Sequence, residues 1–438
     1  MRRTRTYPAL LLAAALVLTA CGTDDDQPQT NDGGDDAASF EGEQLEVAAV
    51  WSGEEQAAFE QVADVFEEQT GATVTFTSTG DDIATVIGTR VQGGDPPDVA
   101  ILPQPGLLAD FAERGALTPL NADVEAAVDD NYADVWKELG TVEGELYGVW
   151  FKAANKSTVW YRTDAFEQAG VQPPETWDDL IAAAGTLADS GVAPVAIAGG
   201  DGWTLTDWFE NVYLRIAGPE KYDQLADHEI PWTDPTVIST LETLAELWGQ
   251  QRLVEGGPQG ALQTSFPQSV TKVFGTQDAA MVYEGDFVAG VISGETDATV
   301  GEDAQFFPFP AVDGSQPSVV GGGDVAVLME DSEVGQAFLE FLAGPEAPAV
   351  WVGLGGFTTP NQNVDLGEYP DDISRQVAEQ LVEAETFRFD MSDLAPPEFG
   401  GTPSQGMWQA LQDFLRDPSQ VQQTAQRLEQ AAAAAYGS

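Results

Sequence analysis

The 438-residue chain has one histidine and one cysteine, against 73 aspartates and glutamates. A zinc centre of His and Cys ligands needs more of both than that, and no disulfide can staple the fold. Positive charge is also scarce. With 17 lysines and arginines the formal net charge is −56, a field that repels nucleic acid and anionic lipid headgroups. The sequence has no G-x-S-x-G elbow, no Walker loop and no G-x-G-x-x-G, so nucleophile-elbow and nucleotide-binding chemistry lack their usual carriers. The glycine runs "IAGGDGW" and "VVGGGDV" read as turns. Carboxylate pairs are plentiful because acids are, but none is singled out as a glycosidase's two catalytic groups would be. Neither catalysis nor a metal or cofactor is expected.

The chain opens with Arg2, Arg3 and Arg5, an apolar run from Ala9 to Leu18, and then Cys21. The run is too short to span a bilayer and reads as a secretory signal over residues 1–20. Leu18, Thr19, Ala20 and Cys21 have the form of a bacterial lipobox, which would make the one cysteine a lipidated N-terminus. Residues 21–43, rich in Asp, Gly and Gln, offer little to bury and read as an acidic tether. The expected location is therefore extracytoplasmic, lipid-anchored to the outer face of the bacterial cytoplasmic membrane.

From Leu45 onward short apolar runs alternate with amphipathic helices, the pattern of an α/β fold with helices over both sheet faces. "LEVAAVW" reads as a strand. The helix after it places Phe59, Val62, Ala63 and Phe66 at i, i+3, i+4 and i+7. "ATVTFTS", "PPDVAIL", "VAPVAIA", "AAMVYEG" and "GGDVAVLME" read as further strands, and "DIATVIGTRVQGG" as a helix closed by glycine. Thr176 has the position of a helix N-cap. The last eighty residues read as mainly helical. Nearly 400 residues with this pattern suggest two lobes rather than one core.

Aromatic residues are the remaining signal. Of eleven tryptophans, Trp248 falls on the apolar face of a helix and reads as core. Trp203, flanked by glycine and threonine, reads as a loop residue whose flat ring could stack on a pyranose.

Together the lipobox, the first-strand block "LEVAAVWSGEEQAAFEQVADVFEEQTGATVTF", the blocks "VQGGDPPDVAILPQPGLLADFAERGALTPL" and "GELYGVWFKAANKSTVWYRTDAFEQAGVQPPETWDDL", and the later "AAMVYEGDF" and "GGFTTPN" resemble the extracellular solute-binding proteins of ABC importers. That large family includes maltose-binding protein. "NKSTVWYR", "GGFTTPNQNVDL" and "FRFDMSDLAPPEFGGT" further resemble its α-glucoside-binding branch. The resemblance implies a two-lobe periplasmic-binding-protein fold with crossover hinge strands and a ligand cleft between the lobes. Lobe 1 would comprise residues 44–154 and 320–360, lobe 2 residues 155–319 and 361–438. It implies a monomer that captures a neutral sugar, an α-glucoside oligosaccharide, by lobe closure and delivers it to membrane permease subunits.

Carried over position by position, the resemblance nominates Trp51 and Glu54 after the first strand and Gln104 after the third. The aromatic and acidic residues of the maltose-binding pattern are missing beside Gln104, which puts sugar contact there in doubt. It also nominates Asn155 and Lys156 at the first crossover, Trp203 and Asp207, then Glu284, Asp286 and Phe287, and Asp324 at a later crossover. Trp408 would supply a second stacking face or pack in a helix core. Glu54 could equally be helix-start charge, and Lys156 could donate to a sugar hydroxyl or pair with an acid. Two other readings stay open: a binding protein for a cationic solute such as a polyamine or osmolyte, caged by acids and aromatics, and a surface glycoside hydrolase.

Overall fold

The computed structural model describes residues 39–437; the signal segment, Cys21 and most of the tether lie outside them. The described residues form twelve strands: β1 (Gln44–Ala49), β2 (Thr73–Ser78), β3 (Val99–Leu102), β4 (Thr141–Val142), β5 (Glu145–Leu146), β6 (Gly148–Asn155), β7 (Thr158–Arg162), β8 (Ala193–Ala196), β9 (Ala279–Tyr283), β10 (Ala304–Pro308), β11 (Val319–Leu328) and β12 (Phe387–Phe389). β4 and β5 form a small hairpin, and the others form two sheets.

The first sheet has the order β12-β11-β3-β1-β2, with β6 also pairing β11. β1 runs parallel to β2 and β3, while β11 is antiparallel to β3 and β6. The second sheet has the order β10-β7-β9-β8. Each sheet is covered on both faces. One pair of apolar clusters surrounds the first and another pair the second, so the chain folds as two lobes.

Local sequence explains the elements. In the helix Gly53–Thr70 the buried residues include Phe59, Val62, Ala63 and Phe66, the spacing that aims one helical face at a sheet. Each such large side chain contributes roughly 1.5–3 kcal/mol on burial. Gly71 ends this helix in the left-handed region at φ 76° and donates to Glu67 O. Gly94 closes the helix Ile83–Gly93 in the same way, and Thr176 accepts from Asp179 N at the start of Trp177–Ser190. Phe40 donates to Thr70 O at 2.7 Å, which ties residue 40 to the first lobe.

Two details depart from the sequence reading. Trp203 is not in a loop; it is the first residue of the helix Trp203–Ala217, entered through Gly202 at φ 88°. The short strand β12 interrupts the helical C-terminal region and pairs in parallel with β11.

The lobes are joined where β6 ends and β7 begins. Only Lys156 and Ser157 separate the two strands, and β11 returns beside them with Gly321 opposite Asn155. This junction sets the position of the candidate site.

Candidate functional site

Two lysines, Lys152 buried and Lys156 largely enclosed, organise the junction. Lys152 lies on β6 opposite Asp324 of β11. Its Nζ is 2.5 Å from Glu55 Oε1 and 3.4 Å from Asp324 Oδ2. Three rings surround the ammonium, with Trp51, Trp351 and Phe287 centroids at 5.3, 5.4 and 5.7 Å. Burial alone would depress its pKa, but Glu55 and Asp324 outweigh burial and raise it. Lys152 is therefore a permanent cation in an aromatic cage.

Lys156, one step beyond β6, reaches Asp390 Oδ2 at 2.5 Å, Asp207 Oδ1 at 3.2 Å and Asp393 Oδ2 at 3.6 Å. Its Nζ stands 5.7 Å from the centroid of the Trp203 ring. Glu210, one helical turn after Asp207, accepts from Met391 N, Ser392 N and Tyr222 Oη. One carboxylate oxygen each from Asp207, Glu210 and Asp390 lie within 4.8 Å of one another. Such a spacing could suit a cation, but the Lys156 ammonium already supplies one.

The acids divide by environment. Burial works against the Asp390 carboxylate, yet Lys156 and hydrogen bonding with Asp207 and Glu210 hold it well below the usual carboxylate range. Burial pushes Asp207 and Glu210 well above theirs, with Asp390 adding to the shift. Burial also lifts Glu284 to about 8 despite the charge of Lys156. It lifts Asp393 to about 8 with help from Asp390. Asp286 rises to about 6 for the same reason, restrained by its hydrogen bond from Thr358 and by Lys152.

Both carboxyl oxygens of Glu284, Asp207 Oδ2 and Asp286 Oδ1 are buried and accept from no well-aligned N–H or hydroxyl donor among the described residues; the Asp207 and Glu284 carboxyls contact each other instead. Leaving such a group unpaired costs about 1–3 kcal/mol. Three aromatic rings flank them, with Trp203 and Phe287 centroids 6.0 Å apart, Trp203 and Phe266 5.6 Å, and Phe266 and Phe287 5.1 Å. Unsatisfied acceptors beside ring faces can take the hydroxyl or ammonium donors of a small molecule. Neither a nucleophile nor a histidine stands among these groups.

Most of the residues nominated from sequence converge here. Lys156, Trp203, Asp207, Glu284, Asp286 and Phe287 belong to one side of the junction, from which Asp286 accepts from Thr358 of the other, and Trp51 and Asp324 belong to that other side. Trp51 is nearly buried, packs edge-on against Trp351 at 4.9 Å, and donates from Nε1 to Asp324 Oδ2 at 3.3 Å. Asn155 is fully buried with its amide engaged: Nδ2 donates to Val377 O, and Oδ1 accepts from Ser157 N. Glu54 is exposed and lies against Gly294 of the other lobe. Gln104 is buried against Gly401, and Trp408 is buried against Gly202. Sequence reasoning missed Lys152, Glu210, Asp390 and Asp393. A signal for Glu210 was available, since it occupies a buried position on an otherwise core-facing helix. A separate groove of about 620 Å³ lies on the second lobe, lined by residues including Arg162, Asp164 and Glu295. Its arginine is already committed to Asp164 and none of the orphaned atoms lines it.

A two-lobed body whose junction gathers buried acceptors and aromatic faces can hold a small molecule. The chain belongs to the bacterial extracellular solute-binding proteins, whose family pattern matches residues 51–348. It is 34% identical over 428 residues to the osmoprotective compounds-binding protein GgtB of Synechocystis sp., covering 95% of this chain and 97% of that one. It is also 34% identical over 391 residues to the alpha-glucosides-binding periplasmic protein AglE of Rhizobium meliloti, covering 86% and 84%. Among solved structures, the bacterial solute receptor AcbH superposes with a TM-score of 0.78 at 22% identity, over 90% of this chain and 99% of that one. The protein is thus an extracytoplasmic solute-binding protein and not an enzyme.

Proposed function

We propose that this protein is the receptor of an ABC importer that captures a neutral sugar, an α-glucoside oligosaccharide, between its lobes and delivers it to the membrane permease. In this reading it is a monomer held at the outer face of the cytoplasmic membrane through a lipid on Cys21. The observation that carries the reading is the set of buried carboxyl oxygens on Glu284, Asp207 and Asp286 beside the Trp203 and Phe287 rings. A pyranose has apolar faces for the rings and hydroxyl donors for the acids. A hydrogen bond to an uncharged carboxyl contributes about 0.5–1.5 kcal/mol, and micromolar affinity needs about 8 kcal/mol in total, so the ring faces and the acceptors have to act together. The likeness to AglE supports the α-glucoside.

The balance of charge favours one alternative. Glu55, Asp207, Glu210, Glu284, Asp286, Asp324, Asp390 and Asp393 gather around Lys152 and Lys156 at the junction, and although burial holds protons on several of them, a bound cation would favour their release. Such an excess of acid suits a cationic or zwitterionic osmolyte, and the relative GgtB is named for osmoprotective compounds.

Calorimetry and thermal-shift screening against maltose, trehalose, sucrose, polyamines and betaines separate the two. Binding of a glucoside that is recovered unchanged is the expected result. A response to polyamines or betaines alone would replace it with the cation reading.

A further inference from the structure

At one point the lobes meet backbone to backbone, through glycines. The helix Val288–Glu295 starts directly after Phe287 at the carboxyl end of β9. It carries Gly290 and Gly294 one turn apart, facing the first lobe. Gly356 of the first lobe sits against Gly290: a Cβ added at 356 would lie 2.5 Å from Gly290 N, and Gly356 has φ 66°. A Cβ added at Gly290 would lie 3.6 Å from Gly356 Cα, an ordinary contact. Further along, a Cβ at Gly294 would collide with the Glu54 side chain, and one at Gly53 would approach Glu295 Oε1 at 3.8 Å.

Gly356 belongs to the first lobe because the residues on either side of it do. Trp351 and Phe357 stack at 4.7 Å in the first lobe's core. The helix bearing Gly290 and Gly294 buries Val288, Val291 and Ile292 in the second lobe. The seam lies on the ligand side of the junction, since Glu55, next to Glu54, holds Lys152 at 2.5 Å and Thr358, two residues after Gly356, bonds Asp286.

We infer that this glycine seam is the closure stop of the receptor: bare backbone at 290 and 356 sets how near the lobes come, and any side chain longer than a methyl at 290 wedges them apart. Glycine is required at 356 both for the close approach and for a left-handed conformation that other residues adopt at a cost. Gly290 lies within a regular helix, where substitution improves helix propensity, so local unfolding would not explain an effect there. Gly294 differs from both because its neighbour is an exposed side chain that can rotate away.

Cysteine trapping tests the inference without any ligand. Glu54→Cys and Gly294→Cys are introduced into the full chain carrying Cys21→Ser, so that the new pair are the only thiols. A Cβ at Gly294 meets the Glu54 side chain, which puts the two thiols close enough to pair, a disulfide spanning roughly 3.5–4.5 Å between Cβ atoms. The expected result is rapid oxidative cross-linking, little changed by Gly290→Ala and slowed at least tenfold by Gly290→Leu, with melting temperature and helix content unchanged. Failure of the pair to cross-link would show that the lobes do not meet there. Cross-linking as fast with Gly290→Leu as without it would show that the glycine does not limit closure. Either result overturns the inference, and neither depends on which solute is bound.

Discussion

Lys152 Nζ and Trp51 Nε1 converge on the same oxygen, Asp324 Oδ2, at 3.4 and 3.3 Å. The Asp324 carboxylate thereby connects an ammonium on β6 with an indole that packs in the first lobe's core, from its own position on β11. Lys152 and Asp324 are cross-strand partners beside a register shift between Asp324 and Val325. The irregularity is at the point where both strands pass from one lobe toward the other.

That convergence predicts coupling. In a double-mutant cycle on Lys152→Met and Asp324→Asn, the two changes together should cost less than the sum of the single changes, by about 1–3 kcal/mol in urea unfolding. Additive effects would mean that Glu55 alone balances the lysine.

Removing the ammonium of Lys156 should be more damaging. Lys156→Met leaves Asp390, Asp207 and Asp393 buried without their cation, and breaking such a pair typically costs about 3–5 kcal/mol. The same unfolding measurement reads it, and Lys156→Arg should recover part of the loss. A Met variant as stable as the parent would mean that the acids simply take up protons.

Stability should also fall as pH rises from about 5 to 8. Folded Glu284 titrates near 8 against an ordinary 4.5, and Asp393 near 8 against 3.8. Between those values the folded chain holds protons that the unfolded chain has released, so raising pH favours unfolding until about pH 8, where the effect levels off. Asp390, held low by Lys156, acts in the opposite sense: its contribution is present above the ordinary carboxylate pKa and is lost only in strong acid. Scanning calorimetry from pH 5 to 8.5 should show the slope, and Glu284→Gln should flatten it. An equal slope in that variant would assign the effect to the acidic surface instead.

Two tryptophans should separate binding from folding. Trp203 is half-buried beside Phe287; Trp203→Ala should weaken glucoside binding about tenfold, or about 1.4 kcal/mol, with a small change in melting temperature. Trp248 is fully buried, and Trp248→Ala should cost about 3–5 kcal/mol of stability. Unchanged affinity in the Trp203 variant would remove it from the site.

The fold was legible where the determinants are local. The i, i+3, i+4, i+7 row from Phe59 to Phe66, the N-cap at Thr176 and the glycine after residue 93 are all read within a few neighbours, and the structure places each accordingly. Trp203 was misread because its helix starts at a glycine, with no side-chain cap to announce it. The site was legible only in part. Lys156 stood out in the sequence, but its strongest partner is 234 residues away, and nothing local distinguishes Asp390 from the chain's other acids. Lys152 was hidden in a strand that is buried along its whole length, where an apolar residue would be the ordinary choice.

The separation of Lys156 from Asp390 also constrains the order of assembly. A chain that emerges from its amino end presents Lys156 and then Asp207 long before Asp390 and Asp393, and β12 must still arrive to pair with β11. Until then the second lobe would have to bury an ammonium with Asp207 as its main counter-charge. The segment from β12 to Asp393 therefore completes the first sheet and the Lys156 cluster together, while the pairing of β1, β2 and β3 needs none of it.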